Sequence, residues 1–146
     1  MKIEIKIDET CAEPKILILT DKITDEVNLI FKKLSLDAPM TLAGFRDDTL
    51  KILEQQRIVR IYAAAGKVFA ATQDGEYMLR LRLYELEERL DKNSFVRISN
   101  SEIINLKKVT NFDLSFTGTI CVSLSDGSVA YVSRRYVPKI KQVLGI

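Results

Sequence analysis

The sequence predicts a mainly β protein with short helices, an α+β chain built on antiparallel strands. Three observations predict it. From Thr41 onward, short apolar or alternating runs are punctuated by turn residues about every eight to ten positions. Helical spacing of apolar residues occurs only in brief stretches, too short for a bundle. Asp126-Gly127 sits between two alternating runs within Thr119 to Val132, a strong hairpin signal.

Taken in order, Lys2 to Asp8 alternates strictly, with Ile3, Ile5 and Ile7 on one face, and reads as a half-buried strand. Lys15 to Leu19 reads as a second strand after the Glu13-Pro14 break. Thr20-Asp21 is then the expected cap of a helix whose apolar face is Val27, Ile30, Phe31 and Leu34. Residues 1–40 thus form an expected strand–strand–helix extension, ending in a linker at Leu36 to Met40. Its apolar faces require a partner, either the rest of the chain or a second copy.

Residues 41–146 form the expected main domain. Thr41 to Phe45 and Thr49 to Leu53 are short strands joined at Arg46-Asp47-Asp48. Ile58 to Ala64 is a strongly apolar strand, turned at Gly66-Lys67 into Val68 to Thr72. Gln73-Asp74-Gly75 turns again into Tyr77 to Leu83. Tyr84 to Leu90 reads as a helix, with Glu85, Glu87 and Glu88 as a solvated face. Phe95 to Leu106 is apolar around a polar turn, Ser99-Asn100-Ser101. The hairpin around Asp126-Gly127 follows, and Ser133-Arg134-Arg135-Tyr136 opens a short amphipathic helix carrying Lys139 and Lys141.

Composition narrows the chemistry. The 146 residues suffice for one domain with a small appendage, and 47% apolar with 29% charged residues is the balance of a soluble globular chain. There is no histidine, which removes histidine triads, histidine acid–base steps and histidine metal sites. Cys11 and Cys121 form no CxxC pair and read as reduced thiols. No P-loop or paired carboxylate site is present, so neither an enzyme, a cofactor, a metal site nor a small-molecule substrate is expected. The start, MKIEIKIDE, does not read as a signal peptide, and a cytoplasmic location is expected.

Charge points elsewhere. The net charge is only +2, but residues 93–146 carry 7 basic and 3 acidic side chains. A polar turn and a basic helix start on a strand framework describe a surface for an anion, most simply nucleic acid. Arginine offers a planar fork to guanine, asparagine pairs bidentately with adenine, and serines donate to phosphate. Lys107, Lys108, Lys139 and Lys141 add attraction that ignores sequence. Each residue also has a plain structural alternative: Asn100 satisfying its turn, Arg134 bridging Asp126, Lys139 and Lys141 forming a solvated helix face.

Three segments carry a resemblance. They are RIVRIYAAAGKVFAATQDGEYMLRLRLYELEERL (57–90), FVRISNSEIINL (95–106) and LSDGSVAYVSRRYVPKIKQVLGI (124–146). Their order resembles the LytTR-type DNA-binding domain of bacterial transcriptional regulators, in the stand-alone subgroup without a receiver domain. The resemblance implies an elongated antiparallel β-sheet assembly that reads DNA with loops. It implies contacts from Lys67 beside Gly66, from Asn100 in the second turn, and from Arg135 with Arg134 beside it at the third; Arg97, Ser99, Ser101, Ser133 and Lys139 complete the expected DNA-binding set beside them. Ser99 departs from the His or Lys of many members. Double-stranded DNA and a second copy of the chain are the expected partners. The subgroup adds, by association alone, a membrane protein encoded nearby. Two rival readings are a protein-interaction module and a single-strand binder stacking bases on Tyr62, Phe69, Phe95 or Phe116.

Overall fold

The computed structural model describes residues 1–35 and 41–146, so the expected linker at Leu36 to Met40 lies outside the described residues. The backbone divides into two units, Met1–Ala38 and Pro39–Ile146.

In the first unit, helix α1 (Asp25–Ser35) is the only regular element of residues 1–35. The expected strands at Lys2 to Asp8 and Lys15 to Leu19 do not form. Ile3, Ile5 and Ile7 are 83%, 93% and 89% exposed, and no neighbouring strand offers the ladder that an isolated strand lacks. The helix also starts later than expected. Thr24 is the cap, its Oγ1 accepting from Val27 N at 3.3 Å and its carbonyl from Asn28 N at 3.0 Å. Asp25 and Glu26 in the first turn and Lys32 and Lys33 in the last complement the helix dipole.

The second unit is mainly β, in two antiparallel sheets. Strands β1 (Thr41–Arg46), β2 (Thr49–Glu54), β3 (Ile58–Ala64), β4 (Lys67–Thr72), β5 (Gly75–Leu79), β6 (Phe95–Ser99) and β7 (Glu102–Asn105) make a seven-stranded sheet of order β2-β1-β5-β4-β3-β7-β6. Strands β8 (Val109–Asp113), β9 (Ile120–Leu124) and β10 (Val129–Val132) make the second, of order β10-β9-β8. Helix α2 (Leu83–Arg89) follows β5, and α3 (Val137–Leu144) follows β10.

Two apolar clusters hold this unit together. One joins α2, through Leu83 and Leu86, to Ile61, Tyr77, Leu79, Phe95 and Ile103 of the large sheet. The other joins Val96, Ile98 and Ile104 to Ile120, Val122 and Val132 of the small sheet and Ile140 of α3. Strands β6 and β7 contribute to both, so this edge of the sheet is buried on both faces. At roughly 1.5–3 kcal/mol per fully buried aliphatic side chain, these clusters dominate the unit's stability.

Three boundaries differ from the sequence reading. The run Tyr77 to Leu83 leaves the sheet at Leu79, because Leu83 joins α2 and packs inward. Strand β8 carries no clear alternating signal: Asn111 and Asp113 are poor strand formers, and a bulge after Val109 breaks the period. The last helix begins at Val137, after a 3-10 turn at Arg134–Tyr136, with Pro138 in its first turn where no donor is missed.

Asn105 is the fully buried polar residue that fixes two elements at once. Its Nδ2 donates to Ile58 O at 2.8 Å, across a bulge in β3, and its Oδ1 accepts from Lys107 N at 3.0 Å. Asn105→Ala leaves a buried carbonyl and amide without partners, and the expected cost is about 1–3 kcal/mol. A urea melt of the variant checks it; an unchanged midpoint would show that the two bonds are replaceable.

Candidate nucleic-acid interface

Topology brings the three predicted segments to one end of the large sheet. Strand β3 runs antiparallel to both β4 and β7. Its C-terminal end therefore meets the start of β4 on one side and the Ser99-Asn100-Ser101 turn on the other. Ala63 N donates to Ser101 O at 2.8 Å, which closes that junction.

The β3–β4 turn is made by Ala65 and Gly66, both in the left-handed region at φ 52° and 75°. This two-residue turn suits the right-handed twist of a hairpin, and glycine adopts it without steric cost. Lys67 is the first residue of β4, paired with Ala64 and exposed.

The second turn is held from behind. A bulge at Ile98 shifts the register between Arg97↔Ile103 and Ser99↔Glu102. Arg97 then folds back under the turn. Its Nε donates to Ser99 O at 2.9 Å, its Nη2 to Asn100 O at 2.7 Å, and its Nη1 to Glu87 Oε2 at 2.9 Å. The Arg97 side chain is 13% exposed. Ser101 N donates to Ser99 Oγ at 3.2 Å, so both serines are engaged within the turn. The Asn100 backbone is fixed while its side chain stays exposed.

The third segment is hung on the second. Ser133 N donates to Ile98 O at 2.9 Å, and Tyr136 Oη donates to Asn100 Oδ1 at 3.2 Å. Arg134 and Arg135 follow Ser133 in the 3-10 turn and are exposed. Arg134 lies over Gly118, where a Cβ would stand 3.0 Å from its Nε. The ion pairs of the described residues do not include Arg134 with Asp126, whose carboxylate instead accepts from Ser128 N at 2.9 Å. The Ser133 hydroxyl makes no capping bond, so it remains a free donor.

Glu87 corrects an expectation. It is not part of a solvated face pointing away from this surface: it pairs with Arg97 and stands 3.6 Å from Lys139 Nζ. Glu85 accepts from Arg82 N at 3.2 Å as a cap of α2, while Glu88 is exposed as expected. Helix α2 was legible as an acidic helix, but nothing in its spacing shows that one glutamate turns toward Arg97.

On the same face of β3 and β4, Tyr62 stacks on Phe69 at 5.6 Å between ring centroids, with Arg60 over the Tyr62 ring. Burial, then a hydrogen bond with Glu76, pushes the Tyr62 phenol up to about 12, so it stays neutral. Of the aromatics weighed for base stacking, Phe95 is buried, Tyr62 and Phe69 are half-buried against each other, and Phe116 packs edge-on against Tyr131 at 6.3 Å. Phe116 and Tyr131 are 47% and 58% exposed, a single open pair rather than the row that single-strand binders use. No group of three metal-ligating side chains occurs among the described residues, and no helix among them is long and apolar enough to cross a membrane.

Comparison with known proteins agrees with this fold. A family profile described as the LytTr DNA-binding domain matches residues 48–145. The chain is 35% identical over 147 residues to an uncharacterized HTH-type transcriptional regulator of Staphylococcus aureus strain NCTC 8325 / PS 47, covering 100% of this chain and 99% of that protein. A counterpart in strain MRSA252 is 34% identical with the same coverage. The fold is shared with a solved LytTr DNA-binding domain from Bacillus cereus, at a TM-score of 0.71 and 21% identity, covering 73% of this chain and 97% of that one. The relatives' names refer to a helix-turn-helix, yet among the described residues of this chain no two helices are joined by a short turn. The chain belongs to the LytTR DNA-binding domain family.

Proposed function

We propose that this chain is a transcriptional regulator that reads double-stranded DNA by sequence and acts as two copies. One observation supports the reading: the turns at residues 65–67, 99–101 and 133–136 meet at one sheet end, where the 99–101 turn is hydrogen-bonded to β3 through Ala63 and to the 133–136 segment through Tyr136. Asn100 and Arg135 are exposed, with side chains suited to base edges. Lys67, Ser99, Ser101, Ser133, Arg134 and Lys139 surround them as phosphate contacts. Arg97 is assigned a different part. Its donors are occupied by two turn carbonyls and Glu87, so it positions Asn100 rather than touching DNA.

Self-association is assigned to residues 1–35. Ile3, Ile5, Ile7, Leu17, Leu19, Leu29 and Phe31 are all more than half exposed, a concentration of apolar surface that in water calls for a partner. This favours a homodimer through the N-terminal unit, in addition to DNA binding by the second unit.

Three outcomes test the proposal. Against a duplex selected from a random pool, Arg135→Ala and Asn100→Ala are each expected to cost about 1–3 kcal/mol and to relax the preference at separate base positions. Lys139→Ala is expected to weaken selected and scrambled duplexes alike, and to reduce a log–log salt slope of roughly −4 to −5 by about one unit. A wild-type pool that shows no enrichment removes the reading.

Arg97→Ala is expected to lower affinity for the selected duplex while leaving the salt slope unchanged, because a positioning residue neutralises no phosphate. Amide exchange at Ser99 to Ser101 is expected to rise in the same variant. A slope reduced by one unit, with exchange unchanged, would instead make Arg97 a direct contact.

Replacing Ile3, Ile5 and Ile7 together by Thr in the full chain is expected to shift the molecular mass by light scattering from dimer toward monomer. Equal masses for the variant and the parent chain would exclude these residues from the interface.

A further inference from the structure

The basic end of the sheet extends further than the three turns. Strands β4 and β5 pair antiparallel, with Val68 opposite Leu79. One step along that ladder toward the β3–β4 turn sets Arg80 beside Lys67. Arg80 is exposed, and among the described residues it meets no carboxylate. Its guanidinium instead lies over the ring of Phe45, with Cζ 4.3 Å from the centroid.

The face is set by register. Phe45 pairs with Met78, Met78 with Phe69, Phe69 with Tyr62, Tyr62 with Glu102 and Glu102 with Ser99. Residues directly opposite on neighbouring strands point to the same face. Arg80 is two residues beyond Met78, and Lys67 two before Phe69, so both emerge on the face that carries Ser99. Read across the strand ends, the row runs Arg80, Lys67, the Ala65-Gly66 turn, then Ser101 and Asn100.

Spacing assigns a partner to the far end of this row. From β5 to β6 the sheet crosses β4, β3 and β7, four strand intervals of about 4.8 Å, or roughly 19 Å. That is about half the roughly 34 Å repeat of a DNA duplex. With Asn100 in a major groove, a duplex lying along the strand ends turns the adjoining minor groove toward Arg80, and the phosphates that wall that groove come within the arginine's reach. An exposed cation–π contact is weak, so Phe45 orients the guanidinium without neutralising it. A cation already held in one direction loses less freedom on meeting a phosphate than a free side chain does.

We propose that Arg80 is a further DNA contact, a phosphate clamp about half a helical turn from the base read by Asn100, and that Phe45 positions it. This rests on the regulator reading above. The test uses the full chain, the selected duplex and a scrambled one, with ethylation interference and salt titration. Arg80→Ala is expected to weaken both duplexes by the same factor, roughly three- to tenfold, and to reduce the salt slope by about one unit. Loss of one interfering phosphate is expected about five base pairs from the position that Asn100→Ala relaxes. Arg80→Lys is expected to keep the slope, and Phe45→Leu to lower affinity at an unchanged slope. Arg57→Ala, at the opposite end of β3, is the control expected to bind as the parent does. Arg80→Ala binding both duplexes with the parent's affinity and slope overturns the clamp while leaving the regulator reading intact. Relaxed specificity in Arg80→Ala, with no change in slope, overturns it in favour of base readout. A parent chain that binds neither duplex removes the regulator reading itself.

Discussion

The Arg97 guanidinium is the interaction on which the turn at Ser99-Asn100-Ser101 depends. A hairpin turn exposes carbonyls that would otherwise be satisfied only by water, and water does not hold a turn in one shape. Arg97 spends two donors on the carbonyls of Ser99 and Asn100 and a third on Glu87. Each bond to a charged group is worth roughly 1.5–3 kcal/mol when made and more than that when half of it is left buried. The turn is therefore anchored to α2, which is itself anchored in the apolar cluster by Leu83 and Leu86. Through Arg97 the backbone of the turn draws its rigidity from the core.

The bulge at Ile98 is the matching device on the other face. In a regular strand, Arg97 and Ile98 would simply alternate and the ladder would continue into the turn. The extra residue keeps Ile98 fully buried against the small sheet while freeing its carbonyl for Ser133 N. Bulges re-aim a strand at little energetic cost. Here the re-aimed carbonyl holds the basic segment of residues 133–136 beside Asn100, and Tyr136 completes the link through Asn100 Oδ1. Asn100 thus has one amide oxygen engaged and its NH₂ free, which orients the side chain as well as the backbone.

The parts legible in the sequence were those in which a local signal and the tertiary structure agree. Ile58 to Ala64 is apolar enough to be a strand in any context, and Asp126-Gly127 forces a hairpin wherever it sits. The parts that were not legible depend on distant partners. Ile3, Ile5 and Ile7 alternate as a strand does, but alternation describes a face, and pairing needs a neighbour that residues 1–35 do not supply. Strand β8 is the converse: Asn111 and Asp113 speak against a strand, yet pairing with β9 makes one. In the candidate site, motif and order singled out Asn100, Arg135 and Arg97 alike, and nothing local separates them. All three are polar residues near turns, and only the carbonyls behind the turn show which one faces inward.

Glu87 also bears on how this surface meets an anion. Its carboxylate is shared between Arg97 at 2.9 Å and Lys139 at 3.6 Å, across the edge formed by β6. Lys139 is half exposed, and exposed pairs of this kind contribute about 0–1 kcal/mol, so the pair is readily opened. Arg97 is held more firmly, being buried and bonded to two carbonyls as well. On the proposed reading, an approaching phosphate would take Lys139 from Glu87 at small cost, while Arg97 would keep its place. The same carboxylate that fixes the 99–101 turn also restrains an outer lysine. One carboxylate thus holds two kinds of cation, a buried arginine that fixes a turn and an exposed lysine that an anion could draw away.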